Sequence, residues 1–167
     1  MALNPIRTPP TAPPGPTRLY LRDEELVAGI AAFFDVEARL KAAGEAARVA
    51  LDLTWSQVRA LLALAQAPDT VMGLAFRLSV TKQSLTRTLE ELEARGLVVR
   101  TADPRDRRRR QTSLTPAGSQ LLMGLTAPMR QTLAAAYRAA GGEAVAGCDR
   151  VVAALVRLPG QSGGPVS

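Results

Sequence analysis

The chain has 167 residues, 47% hydrophobic and 22% charged, enough for one compact domain with an appended helical element and too apolar for wholesale disorder. It has no histidine and one cysteine, Cys148. This excludes histidine-dependent acid/base catalysis, histidine or multi-cysteine metal sites and an intrachain disulfide. The net charge of +6 is concentrated: Arg100 to Arg110 hold six arginines and two aspartates, +4 in eleven residues, leaving +2 for the other 156. Such placement suggests a polyanion met at a defined place, against the plainer reading of a solvated arginine loop. The longest charge-free apolar run near the start, Leu26 to Phe34, is nine residues, far short of the roughly 20 that span a bilayer. The first residues lack the layout of a secretory signal, so no membrane partner and a reducing cytoplasm are expected.

In chain order, residues 1–17 hold six of the twelve prolines and read as an extended, disordered tail. Residues 23–42 repeat apolar side chains at Leu26, Ile30, Phe33, Phe34 and Leu40, near helical spacing. Thr54 opens a second helix, with Gln57 completing a T-x-x-Q capping box. Val58, Leu61, Leu62 and Ala65 are its expected buried stripe, and Ala67-Pro68-Asp69 stops it. Thr70 caps a short helix over 71–77, with Leu74 and Leu78 inward. After Ser79-Val80, Thr81 caps a fourth helix on Leu85, Leu89 and Leu92, ended by Gly96. Leu97 to Arg100 and Gln111 to Leu114 read as paired strands around the basic loop. Thr115-Pro116 restarts a helix to about Arg138, bent at Pro128. Gly141-Gly142 breaks it, and a last helix, 143–157, carries Val145, Cys148, Val152 and Leu155 on one face. Residues 159–167 read as a flexible tail.

Two short helices, a tight turn and a β-hairpin make a winged helix-turn-helix: a mainly α fold with a small hairpin wing and N- and C-terminal dimerisation helices. On a wheel of the 81–95 helix the three leucines fall within about 60°, with Gln83, Ser84 and Arg87 opposite. Arginine can be bidentate to guanine and glutamine to adenine, while serine donates to base or phosphate. Thr81 and Lys82 at the positive helix end suit a phosphate. Glu90, Glu91 and Glu93 would repel the DNA backbone, so the N-terminal two turns should enter the groove. In the loop, Arg105, Asp106, Arg107 and Arg108 form a wing tip suited to a narrow, negative minor groove. Its aspartates would fix neighbouring guanidinium groups.

The run TKQSLTRTLEELEARGLVVRTADPRDRRRRQTSLTPAG resembles the core of the MarR family of bacterial transcriptional regulators. The L-T-R-x-L-x-x-L-x-x-x-G-L helix, the D-P-R-D-R-R wing and the S-L-T-x-x-G restart match in order and spacing, and the likeness spans roughly residues 20–158. The runs Leu21 to Leu26 and Thr81 to Leu85 are also similar to a PetP-like proteobacterial subgroup. The resemblance implies base or phosphate contacts at Ser84 and Arg87, minor-groove entry by Arg107, and support from Asp106 and Arg108. It implies a homodimer built from 21–43, 143–157 and part of 116–138, on a pseudo-palindrome with half-sites about 10 bp apart. It implies domains at 18–50 (dimerisation), 51–114 (DNA binding) and 115–158 (completing the dimer). It further implies a repressor released by a small lipophilic or aromatic effector, with no cofactor, in a crevice that Phe33, Phe34, Trp55, Phe76 and Tyr137 could line. Met72-Gly73 departs from the family's polar helix formers, which predicts a weaker 71–77 helix. The redox branch's first-helix cysteine and the zinc branch's histidines are missing, and Cys148 reads as a packing residue. The competing readings are a low-specificity architectural DNA binder and a winged-helix protein-interaction module. An enzyme has no supporting motif.

Overall fold

A computed structural model describes residues 22–102 and 110–158. In order they form α1 (Asp23–Ala50), α2 (Trp55–Gln66), α3 (Val71–Leu78), α4 (Lys82–Ala94), β1 (Val98–Ala102), β2 (Arg110–Leu114), α5 (Pro116–Leu125), α6 (Ala127–Ala140) and α7 (Gly142–Arg157). This is the expected mainly α fold with one hairpin. The chain divides into two compact units, up to Val36 and from Glu37 onward. The described part of the first unit is the front half of α1, whose Leu26, Val27, Ile30, Phe33 and Phe34 are exposed. α1 runs eight residues beyond the expected Ala42 and ends at Ala50 because Asp52 adopts a left-handed φ of 48° there. Leu53 N–H then returns to Arg48 O and Asp52 N–H to Val49 O, a Schellman closure.

The second unit holds the core. Leu53, Val58, Leu61, Leu64, Leu74, Leu85, Leu89, Leu92, Val98 and Leu125 are all nearly inaccessible to solvent. Capping chemistry starts four helices where the sequence places it. The side chains of Thr54, Thr70, Thr81 and Thr115 accept from the N–H groups of Gln57, Gly73, Ser84 and Gly118. The full capping box at Thr54/Gln57 is present. The stripe on α2 needs correction: Ala65 is exposed, Leu62 is half-buried, and Gln57, Ala60, Ala63 and Leu64 are buried instead. Residues 60–65 are A-L-L-A-L-A, apolar on every side, so residue type carries no contrast to fix the phase. α2 meets α3, α4, α5 and β2, which widens the arc it buries.

Two arginines lock α2 to α3 by capping C-terminal carbonyls, Arg77 Nη2 on Ala63 O (2.8 Å) and Arg59 Nη2 on Leu78 O (3.0 Å). The turn between α3 and α4 is made by Ser79 at φ 52°, with Val80 N–H on Ala75 O. Gly73 does not simply weaken α3. The Asp69 carboxylate occupies the space a β-carbon at 73 would take, beside the N-terminus of α3, where it also accepts from Thr70 N (2.7 Å). A negative group is stabilising at that end.

β1 and β2 pair antiparallel in the register Val98↔Leu114 to Ala102↔Arg110. Beyond the expected hairpin, Asp69 adds a bridge to Thr112, through N–H to O bonds of 3.1 and 2.8 Å. The base of the wing is thereby tied to the α2–α3 connection. The single helix expected from 116 to 138 is two helices separated at Thr126, whose hydroxyl turns back to Leu122 O (2.7 Å). Pro128 has no N–H to continue the ladder, and Arg130 Nη2 covers Met123 O (2.9 Å).

Candidate nucleic-acid interface

The floor of the interface is α4. Its three leucines are buried against the second unit's core, and this turns the opposite arc outward. Thr81, Lys82, Gln83, Ser84 and Arg87 are all exposed. They line one concave surface of ≈ 1090 Å³, together with Thr54 and Ser56 from the start of α2 and Thr86, Thr88, Glu90 and Glu91 of α4. The five residues that the sequence singles out here are therefore all exposed and line one concavity.

Their hydrogen bonding separates them. Thr81 is the N-cap, its oxygen accepting from Ser84 N (3.2 Å). The hydroxyls of Thr86 and Thr88 are turned back to Lys82 O (2.8 Å) and Ser84 O (3.1 Å). Arg87 donates through Nε to Glu91 Oε1 (3.2 Å), one turn later on the same helix. The other Glu91 oxygen accepts from Gln57 Nε2 (3.0 Å). Glu93 meets Arg100 Nε at 3.4 Å, at the root of the wing. Glu91 and Glu93 are thus partnered carboxylates, where the sequence suggested only repulsive ones. The Gln57–Glu91 contact joins residues 34 apart, and no local pattern could have disclosed it.

The wing-tip residues Arg105, Asp106, Arg107 and Arg108 lie outside the described residues. The roots of the wing are in place: Gly96, at φ 68°, closes α4 with its N–H on Glu93 O (2.9 Å), and Leu97 N–H reaches Leu92 O (3.0 Å).

The aromatic residues of the expected crevice occupy different settings. Phe33 and Phe34 are exposed on the first unit's stretch of α1. Trp55 is half-buried. Its Nε1 donates to Glu45 Oε2 (3.1 Å), and Lys41 and Arg48 stand 5.8 and 6.0 Å from the ring centre. The Arg48 guanidinium beside Glu45 holds that carboxyl below the usual glutamate value. Phe76 is 78% exposed on α3, and Tyr137 lies on α6 at the margin of exposure. An apolar pocket of ≈ 520 Å³ lies instead among Ala47, Ala50 and Leu51 of the α1 end and Ala117, Gln120, Leu121 and Gly124 of α5. Cys148, expected to pack, is exposed on α7. Among the described residues no group of histidine, cysteine or acidic side chains could hold a metal, and no helix is long and apolar enough to cross a membrane.

Residues 51–109 match the MarR family. The chain is 39% identical over 146 residues to the HTH-type transcriptional regulator PetP of Rhodobacter capsulatus, covering 87% of this chain and 88% of that one. Its fold is that of NadR in complex with 4-hydroxyphenylacetate (TM-score 0.67, 23% identity, 87% of this chain and 99% of that one). It is also that of CouR from Rhodococcus jostii RHA1 bound to p-coumaroyl-CoA (TM-score 0.65, 22% identity, 77% and 91%). By its winged helix-turn-helix and its match to PetP over 88% of that protein's length, the chain belongs to the MarR family of DNA-binding transcriptional regulators.

Proposed function

We propose that the protein is a homodimeric repressor that binds a pseudo-palindromic operator and leaves it when a small effector binds. The observation that carries this reading is the outward arc of α4. Gln83, Ser84 and Arg87 stand exposed on its first two turns, on the side opposite the buried leucines. Those donors match base edges in the major groove, and Thr81 and Lys82 at the helix start match a phosphate. Arg107 of the wing enters the adjacent minor groove, with Asp106 and Arg108 supporting it and Arg105 as a further wing contact to DNA.

The dimer is supported by apolar side chains that the single chain leaves uncovered, Leu26, Ile30, Phe33 and Phe34 on α1 and Val151, Val152, Leu155 and Val156 on α7. A monomer rarely leaves that much apolar surface exposed. Two-fold symmetry then makes the operator a pseudo-palindrome. The ≈ 520 Å³ apolar pocket is of a size to hold a small aromatic molecule, and NadR and CouR carry aromatic ligands on the same fold.

The reading is tested by selecting bound duplexes from a random pool with the full chain. A palindrome with half-sites about 10 bp apart is expected. Recovery of no motif, with binding to every duplex alike, indicates an architectural protein. No binding at all turns the wing and α4 into a protein-interaction surface.

A further inference from the structure

We propose that Glu91 and the buried Gln57 are positioning residues that set the Arg87 guanidinium for one base pair and so determine operator specificity. This rests on the reading of α4 as the base-reading helix. Gln57 is only 6% exposed. Its Oε1 accepts from Thr54 N (2.8 Å), so the amide is oriented by the α2 capping box, and its Nε2 donates to Glu91 Oε2 (3.0 Å). Glu91 Oε1 then accepts from Arg87 Nε (3.2 Å). A line of hydrogen bonds thus runs from the first turn of α2 to an arginine whose side chain is 85% exposed.

An exposed i,i+4 pair alone does little to hold an arginine. Here the carboxylate is held from behind by a buried amide, and the pair gains a fixed end. Engagement through Nε also leaves both terminal nitrogens without a partner among the described residues. Those two nitrogens can meet O6 and N7 of guanine together. Ordering them before DNA arrives removes a cost that binding would otherwise meet. The same carboxylate sets a negative charge near phosphates, which weakens binding to unrelated DNA. Specificity is a ratio of affinities, and this relay raises it from both sides.

The test uses full-length wild type, Arg87→Ala, Glu91→Ala and Gln57→Ala on a selected operator, on its single base-pair variants and on a random duplex, by fluorescence anisotropy. The pair read by Arg87 is the one at which Arg87→Ala levels the preference, which we expect to be about 10- to 100-fold in the wild type. Glu91→Ala should cut that preference at least about threefold and tighten random-duplex binding about twofold. Gln57→Ala leaves the carboxylate in place, so it should lower the preference without tightening random binding. A Glu91→Ala protein that binds every duplex more tightly by one factor and keeps its preference overturns the relay and makes Glu91 a repelling charge only. If Gln57→Ala does not fold, Glu91→Ala decides alone. If Arg87→Ala levels no position, Arg87 reads no base, and the relay falls with that reading. If Arg87→Ala levels one and Glu91→Ala does not, only the relay falls.

Discussion

A β-carbon on Gly118 would sit 2.0 Å from the carbonyl oxygen of Leu97. That oxygen also accepts from Thr115 N (3.1 Å), and Thr115 Oγ1 donates to Gly96 O (2.7 Å). The T-P-A-G restart is therefore a docking surface as well as a helix start, pressing the first turn of α5 onto the chain that leaves α4. Backbone cannot move aside as a side chain can. Gly118→Ala should cost about 3 kcal/mol and lower the melting temperature by roughly 6–12 °C; an unchanged melting temperature would mean that the two segments can separate freely. Residues of this kind were legible as motif letters, while their reason was not, because the partner is a carbonyl 21 positions back. Gly73 behaves likewise. Propensity marks it as a flaw in α3, and only the fold brings the Asp69 carboxylate into the gap.

At the scale of elements, most of what the sequence disclosed was local. Threonine caps act over three residues, and all four lie where the spacing puts them. What escaped was long-range: the Asp69–Thr112 bridge, the Gln57–Glu91 bond, and Arg95, whose guanidinium binds Asp52 O (2.9 Å) and Leu51 O (2.8 Å) and fastens the end of α1 to the end of α4. The Glu45–Arg48–Trp55 cluster between α1 and α2 belongs to this class too. The hydrogen bond from Arg48, then its charge, lower the Glu45 carboxyl against an opposing desolvation, and Trp55 Nε1 adds a smaller share. In the unfolded chain Glu45 takes up its proton near the ordinary 4.5, whereas the folded chain resists to lower pH. The cluster's contribution is therefore complete above that value and is lost as pH falls through the lower folded one. Acid unfolding followed by the fluorescence of Trp55 should begin below about pH 4.5 for this group, and Glu45→Gln should flatten that limb. Superimposable acid limbs would place the acid sensitivity elsewhere, with Glu37, lowered chiefly by its hydrogen bond to Lys41, the next to examine.

For the whole molecule, the sequence carried the winged helix-turn-helix from the order of its elements, and the face of α4 from the phase of three leucines. Most of the net positive charge, +4 of +6, falls between Arg100 and Arg110, in the hairpin that follows α4. The proposed dimer rests on the uncovered apolar faces of α1 and α7, and the proposed operator symmetry rests on that dimer. Both serve one central claim, that the exposed arc of α4 distinguishes one DNA sequence from another rather than gripping any duplex. Phosphate contacts alone give affinity that falls steeply with salt and is indifferent to sequence, while base contacts add a preference that survives at higher salt. The most direct measurement is a salt titration of the dissociation constants for a selected operator and for a random duplex of equal length. Base reading by α4 should give an operator preference of about a thousandfold or more near physiological salt, retained as both affinities weaken. Equal constants along the whole titration would contradict it.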